Sequence, residues 1–158
     1  MPEEQKARLA GMTEQTVDTT SSVDNARIVE AFLNAFQDQD FDTADSLLAD
    51  DLVYENVGLP TIRGGARVKK LLRGTEGRMG FEVKFHRNVA DGATVLNERT
   101  DAMVIGPLRL QFWVCGVFEV RDGRITLWRD YFDFYDFGKA ILRGIVGVAV
   151  PALRPTMR

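Results

Sequence analysis

Apolar side chains recur every three to four positions over Ile28, Val29, Phe32, Leu33 and Phe36, and this spacing predicts a helix over 23–38. Ser21-Ser22-Val23-Asp24 ahead of it reads as a capping box. A shorter helix is expected over 42–49, with Asp42 as its N-cap and Ala44, Leu47 and Leu48 apolar. Leu52-Val53-Tyr54-Glu55-Asn56-Val57 reads as a strand that Gly58 and Pro60 end. Gly64-Gly65 breaks the chain before a basic helix with Val68, Leu71 and Leu72 on one side.

Beyond that helix the period drops to two. Phe81–Asn88, with Phe81, Val83 and Phe85 alternating, is a predicted strand, and Ala93–Ile105, Arg109–Val120 and Arg124–Phe134 follow. Gly106-Pro107 and Asp122-Gly123 supply the turns. A last apolar helix is expected over 136–148, stopped by Pro151, and Gly144 and Gly147 within it imply close packing. Early helices followed by a meander of strands predict an α+β fold, a curved sheet with helices over its concave face. One domain is expected over 23–150, with a disordered polar leader over 1–22 and a tail over 151–158. Met12 offers a second start that would make Met1–Gly11 dispensable.

Composition narrows the chemistry more than the fold. The chain of 158 residues is 45% hydrophobic and 27% charged, with net charge −3, which suits a soluble domain with a real core and argues against nucleic acid as a partner. One cysteine, Cys115, excludes an internal disulfide or a cysteine-cluster metal site, and one histidine, His86, leaves little for a histidine metal site or a serine–histidine triad. The chemistry must then run on carboxylates, arginine and tyrosine. The leader has no apolar signal core, and the run Gly144–Leu153 is too short to span a bilayer, so a cytoplasmic protein without a membrane span is expected.

Against this apolar background, some strand charges stand out. Arg99 and Asp101 alternate onto the face of Met103 and Ile105, and Asp130 onto that of Trp128 and Phe132. If those faces point inward the charges are buried, which is costly unless they pair, and one arginine between two aspartates would pair them. Tyr54 and Asn56 also share a face, and a curved sheet can bring all five residues to one cavity. Asp130, Tyr54 and Asn56 could then hold a water for attack while a protonated Asp101 serves as acid. The competing readings are a buried ion-pair network that only fixes sheet register, or a one-residue slip that puts these charges in water. The basic patch of Arg63, Arg67, Lys69, Lys70 and Arg73 reads as a solvated helix face.

At these residues the chain resembles the limonene-1,2-epoxide hydrolase family. The likeness rests on Tyr54-Glu55-Asn56, on Arg99-Thr100-Asp101 and on Trp128-Arg129-Asp130-Tyr131-Phe132-Asp133, and it runs from about Asp24 to the last helix. Mycobacterial-type members look especially similar over Gln111–Val120. The resemblance implies a cone-shaped roll like that of nuclear transport factor 2, usually dimeric, and epoxide opening in one step without a covalent ester, a metal or a cofactor. It implies Asp130 as general base, Asp101 as general acid, Arg99 as their bridge, and Tyr54 with Asn56 as holders of the water. The other classes that suit such a scaffold are a ketosteroid-isomerase- or polyketide-cyclase-like enzyme and a non-catalytic module for apolar ligands; an arginine between the acids disfavours the isomerase.

Two further expectations follow from strand faces. A large apolar pocket for a lipophilic epoxide should be lined by Phe32, Leu72, Met103, Ile105, Phe112, Val114, Phe118, Trp128 and Phe132, with Phe137 and Ile141 from the last helix. The outer face, with Gln111, Trp113, Cys115, Val117, Ile125, Leu127, Arg129 and Tyr131, is too apolar for a monomer and predicts a homodimer joined sheet to sheet.

Overall fold

The computed structural model describes residues 3–157, with the backbone alone for 9–20. In chain order the elements are α1 (Glu3–Gln37), α2 (Phe41–Ser46), β1 (Leu48–Asn56), β2 (Ile62–Arg63), α3 (Gly65–Arg73), β3 (Gly80–Asp91), β4 (Thr94–Ile105), β5 (Leu108–Arg121), β6 (Arg124–Tyr131) and α4 (Phe134–Ala149). A 3-10 turn at Pro151–Leu153 follows.

The six strands form one curved mixed sheet in the order β2-β1-β6-β5-β4-β3. Neighbours from β3 to β6 pair antiparallel, while β1 lies parallel to β6, with Tyr54 opposite Trp128 and Asn56 opposite Asp130. That pairing could not be read from the strand order, because β2, α3 and β3 to β5 come between β1 and β6 in the chain. All the helices lie on one face. Val29, Phe32, Leu33 and Phe36 of α1, Phe41 and Ala44 of α2 and Val68 and Leu72 of α3 pack with Leu48, Leu52, Phe81, Val95, Phe118, Ile125 and Trp128 of the sheet. Gly144 of α4 lies so close to β5 that an added Cβ would stand 2.7 Å from the Arg109 carbonyl oxygen, the close packing its sequence position implied.

Several local expectations are corrected. Residues 3–22, expected as a disordered leader, continue α1, so Ser21-Ser22-Val23-Asp24 is helix interior and caps nothing. The Ser22 hydroxyl instead accepts from the Gly92 amide at 2.9 Å, and Asn25 Nδ2 donates to the Gly92 carbonyl at 2.9 Å, tying α1 to the β3–β4 hairpin. Met1, Pro2 and Arg158 lie outside the described residues. The N-cap of α2 is Asp40, which accepts from the Thr43 amide at 3.1 Å; Asp42 pairs with Arg73 instead. The last predicted strand stops at Tyr131, because Asp133 caps α4 by accepting from the amides of Tyr135 and Asp136. Ile125, assigned to the outer face, is wholly buried in the core. A bulge between the Val120–Ile125 and Glu119–Leu127 pairs shifts the alternation by one residue there. No helix among the described residues is long and apolar enough to cross a membrane.

Candidate active site

The inner face of β4 presents Val95, Asn97, Arg99 and Asp101 in succession, all buried. Arg99 is wholly excluded from solvent, and the fold surrounds it with acceptors. Its Nε donates to both Asp101 oxygens, at 2.9 and 3.1 Å, and its Nη1 donates to Asn97 Oδ1 at 2.8 Å. Its Nη2 lies 2.7 Å from Asp130 Oδ2 on β6. The guanidinium also sits 5.9 Å over the Phe118 ring.

Arg99 reaches Asp130 across β5 because of Gly116. In the sheet register Gly116 is opposite Asn97 on one side and Asp130 on the other. A Cβ added there would stand 2.3 Å from Arg99 Nη1 and 2.6 Å from Asn97 Oδ1, so any other residue would displace the guanidinium.

The two carboxylates are held differently. Both Asp101 oxygens accept from Arg99 Nε, whereas Asp130 Oδ2 accepts from Trp128 Nε1 at 2.9 Å and meets Arg99 Nη2 as an ion pair without hydrogen-bond geometry. Asp130 Oδ1 is buried and has no hydrogen-bond partner in the protein. Burial pushes the Asp101 carboxyl up to about 6; the Arg99 charge opposes that rise and the Asp130 charge adds to it. Burial alone would lower the Arg99 pKa, but the charges of Asp130 and Asp101 outweigh it and raise the value, so the guanidinium stays charged. Tyr54 is pushed up to about 12, by burial first and then by the Asp130 charge. Its hydroxyl therefore keeps its proton and accepts from Asn56 Nδ2 at 2.7 Å. Parallel pairing of β1 with β6 is what sets this pair beside Asp130.

Tyr54, Asn56, Asp101 and Asp130 open onto a cavity of about 480 Å³. Arg99 does not reach it; it lies behind the two aspartates. Of the apolar residues assigned to the wall from strand faces, Leu72, Met103, Phe112, Val114, Trp128, Phe132 and Phe137 line it. Four do not. Phe32 and Phe118 lie beneath the wall, packed against Trp128 at ring-centroid distances of 5.1 and 6.1 Å. Ile105 and Ile141 are exposed at the end of β4 and on α4. The wall also takes in Phe36, Leu59, Leu71, Thr75, Met79, Phe81 and Phe134, which the strand-face argument missed. Phe36 and Phe81 carry a signal in the helical and alternating patterns; Leu59, Thr75, Met79 and Phe134 sit in loops or at a helix start, where no period exists to read. Among the described residues no cluster of three or more histidine, cysteine, aspartate or glutamate side chains could hold a metal ion.

Comparison with known proteins bears on what this arrangement serves. The family model of the limonene-1,2-epoxide hydrolase catalytic domain matches residues 23–143. The chain belongs to the limonene-1,2-epoxide hydrolase family. It is accordingly an enzyme of the epoxide hydrolase class. Epoxide hydrolase EphG of Mycobacterium tuberculosis (strain ATCC 25618 / H37Rv) is 63% identical over 149 residues, covering 94% of this chain and 100% of that protein. The structure of a limonene-epoxide-hydrolase-like epoxide hydrolase from M. tuberculosis superimposes with TM-score 0.85 at 66% identity, covering 86% of this chain and 97% of that one. A nuclear-transport-factor-2-like protein from Burkholderia xenovorans LB400 matches with TM-score 0.62 at 22% identity, covering 77% of this chain and 98% of its own. At that identity the likeness is one of fold alone, and the fold is the α+β roll expected from the sequence.

Proposed function

We propose that this chain adds water to a lipophilic epoxide, of terpenoid, lipid or steroid type, to give a vicinal diol in one step. The observation that carries the mechanism is the asymmetry of the two aspartates. Asp130 Oδ1 is a buried acceptor with no protein partner, beside Tyr54 and Asn56 at the cavity wall. A water there donates one hydrogen to Asp130 and is oriented by the Tyr54 hydroxyl and the Asn56 amide. Its oxygen attacks an epoxide carbon, Asp130 takes the proton, and the carbon–oxygen bond breaks. Asp101 gives its proton to the departing oxygen, because an alkoxide is a poor leaving group. Arg99 holds both carboxyl groups and balances their charge. A proton then leaves Asp130 and another returns to Asp101, which restores the starting state.

The cavity wall supports the substrate class, since it is built mainly from aromatic and aliphatic side chains with the polar groups gathered at Asp101 and Asp130. Incubation with limonene oxide, a fatty-acid epoxide and glycidol in oxygen-18 water is the test. Diol carrying one oxygen-18, formed far faster from the two lipophilic substrates, is expected. No diol from any of them would refute hydrolysis, and a preference for glycidol would refute the lipophilic assignment.

The pH dependence follows from the acid. The reaction needs protonated Asp101, and that form declines above its pKa of about 6. The value of kcat/KM should therefore fall towards tenfold per pH unit above about 6, a limb that Asp101→Asn should remove from any residual activity. A rate rising between pH 6 and 8 would contradict Asp101 as the acid.

The same reading includes a homodimer through the outer sheet face. Trp113, Tyr131, Leu96 and Val89 are exposed large side chains on β3 to β6. Light scattering at micromolar concentration should give twice the chain mass, and Trp113→Glu should shift it towards monomer. A wild-type monomer mass would remove this element.

A further inference from the structure

Arg99 touches three side chains through hydrogen bonds or ion pairs, and the third is neither aspartate. Asn97, two residues earlier on the same face of β4, is 3% exposed and accepts from Arg99 Nη1 at 2.8 Å. It does not border the cavity, so it touches neither substrate nor attacking water. Its Nδ2 is buried with no partner, so a full hydrogen-bond complement is not why an amide stands there. The site is otherwise arranged around this contact. Gly116 clears the space that Arg99 Nη1 and Asn97 Oδ1 share, and Phe118 supports the guanidinium from below.

Resting on the hydrolase reading above, we propose that Asn97 is a positioning residue for the reaction. Its side-chain oxygen sets the rotation of the Arg99 guanidinium between the two aspartates, and its lack of charge keeps the buried cluster at one proton. With Asn97 occupying Nη1, the guanidinium has Nε on Asp101 and Nη2 on Asp130. Without that third contact, rotation about the Cδ–Nε bond would carry Nη2 away from Asp130. The charge argument is separate. One guanidinium, two carboxyl groups and one proton sum to zero. An aspartate at 97 could accept from Nη1 equally well but would bring a third negative charge into a dry site.

The charged and titratable groups around Asp101 are Arg99 on its own strand, Asp130 on β6 and Tyr54 on β1. Its cross-strand partners on β3 and β5, Val83 and Phe112, do not titrate, nor do the core residues Val29, Phe32 and Leu33 of α1. A carboxylate at 97 therefore competes for Arg99 with nothing nearby to offset it, and Asp101 keeps its proton to higher pH.

The test uses two variants of the full chain, neither larger than asparagine, with limonene oxide as substrate. Asn97→Asp keeps the acceptor and adds charge; its alkaline limb in kcat/KM should move up by about one pH unit. Asn97→Ala removes the acceptor without adding bulk; kcat should fall at least tenfold with KM within about twofold, since the cavity wall is untouched. An Asn97→Asp profile that superimposes on wild type would overturn the charge role. A folded Asn97→Ala with wild-type kcat would overturn the positioning role, and so would a loss confined to KM. If Asn97→Ala does not fold, Asn97→Ser, which is also too short to reach Arg99 Nη1 as the amide does, takes its place in the kcat comparison. A wild type with no epoxide turnover, or full activity in Asp130→Asn, would instead bring down the hydrolase reading beneath the proposal.

Discussion

Asp130→Asn and Asp101→Asn should each cut hydrolysis by at least about two orders of magnitude while the fold stays intact, the range expected when a general base or acid is lost. Both replacements are nearly isosteric. An asparagine at 130 can still accept from Trp128 Nε1, and one at 101 can still accept from Arg99 Nε, so the local geometry has a reason to survive. What disappears is the capacity to take or give a proton. The check is kcat/KM on a lipophilic epoxide alongside the thermal midpoint of each variant. Near-wild-type turnover in either, with an unchanged midpoint, would sink the assignment of roles.

Arg99→Ala should lose both activity and stability. Arg99 is wholly buried and its two carboxyl partners are 4 and 5% exposed, so its removal strands two buried acids with no cation beside them. Breaking a buried pair from one side costs about 3–5 kcal/mol, here a fall in Tm on the order of 10 °C. The deficit should depend on pH. In the wild type the folded-state pKa of Asp101 is raised from 3.8 to about 6. Its neutral form is thus the favoured one when folded, and the stability it contributes is present below pH 3.8 and lost as the pH rises through about 6. Removing the arginine strengthens that trend for the stranded carboxylates, which can neutralise themselves by binding protons in acid. The variant should therefore come closest to wild type at low pH and fall furthest behind above about 6. Melting curves over pH 4–8 would show this, and a constant small deficit would mean that Arg99 is not the partner these aspartates depend on.

Some of this could be read from the chain because it is local. A strand alternates its side chains whatever else the molecule does, so Arg99 with Asp101, Tyr54 with Asn56 and Asp130 with Trp128 share faces by backbone geometry alone. The cost of burying charge then tied the arginine to the aspartates. Helical spacing located the core face of α1 and the apolar side of α3 for the same reason. Periodicity failed where it was interrupted. The bulge near Ile125 moved that residue from the outer face to the core, and the polar stretch over 3–22 carries no apolar stripe to mark the helix it continues.

Tertiary structure decided what no period contains. The parallel pairing of β1 with β6, between strands far apart in the chain, sets Asn56 opposite Asp130. Alternation gives a face but not a depth, which is why Phe32 and Phe118 lie beneath the cavity wall and Ile105 and Ile141 beyond it. The space that lets Arg99 cross to Asp130 is the missing side chain of Gly116, on the strand that lies between the two carrying the aspartates. Which side chains share a face is a property of each strand; which strands adjoin, and in what register, is set by how the apolar surface of the whole chain is buried at once.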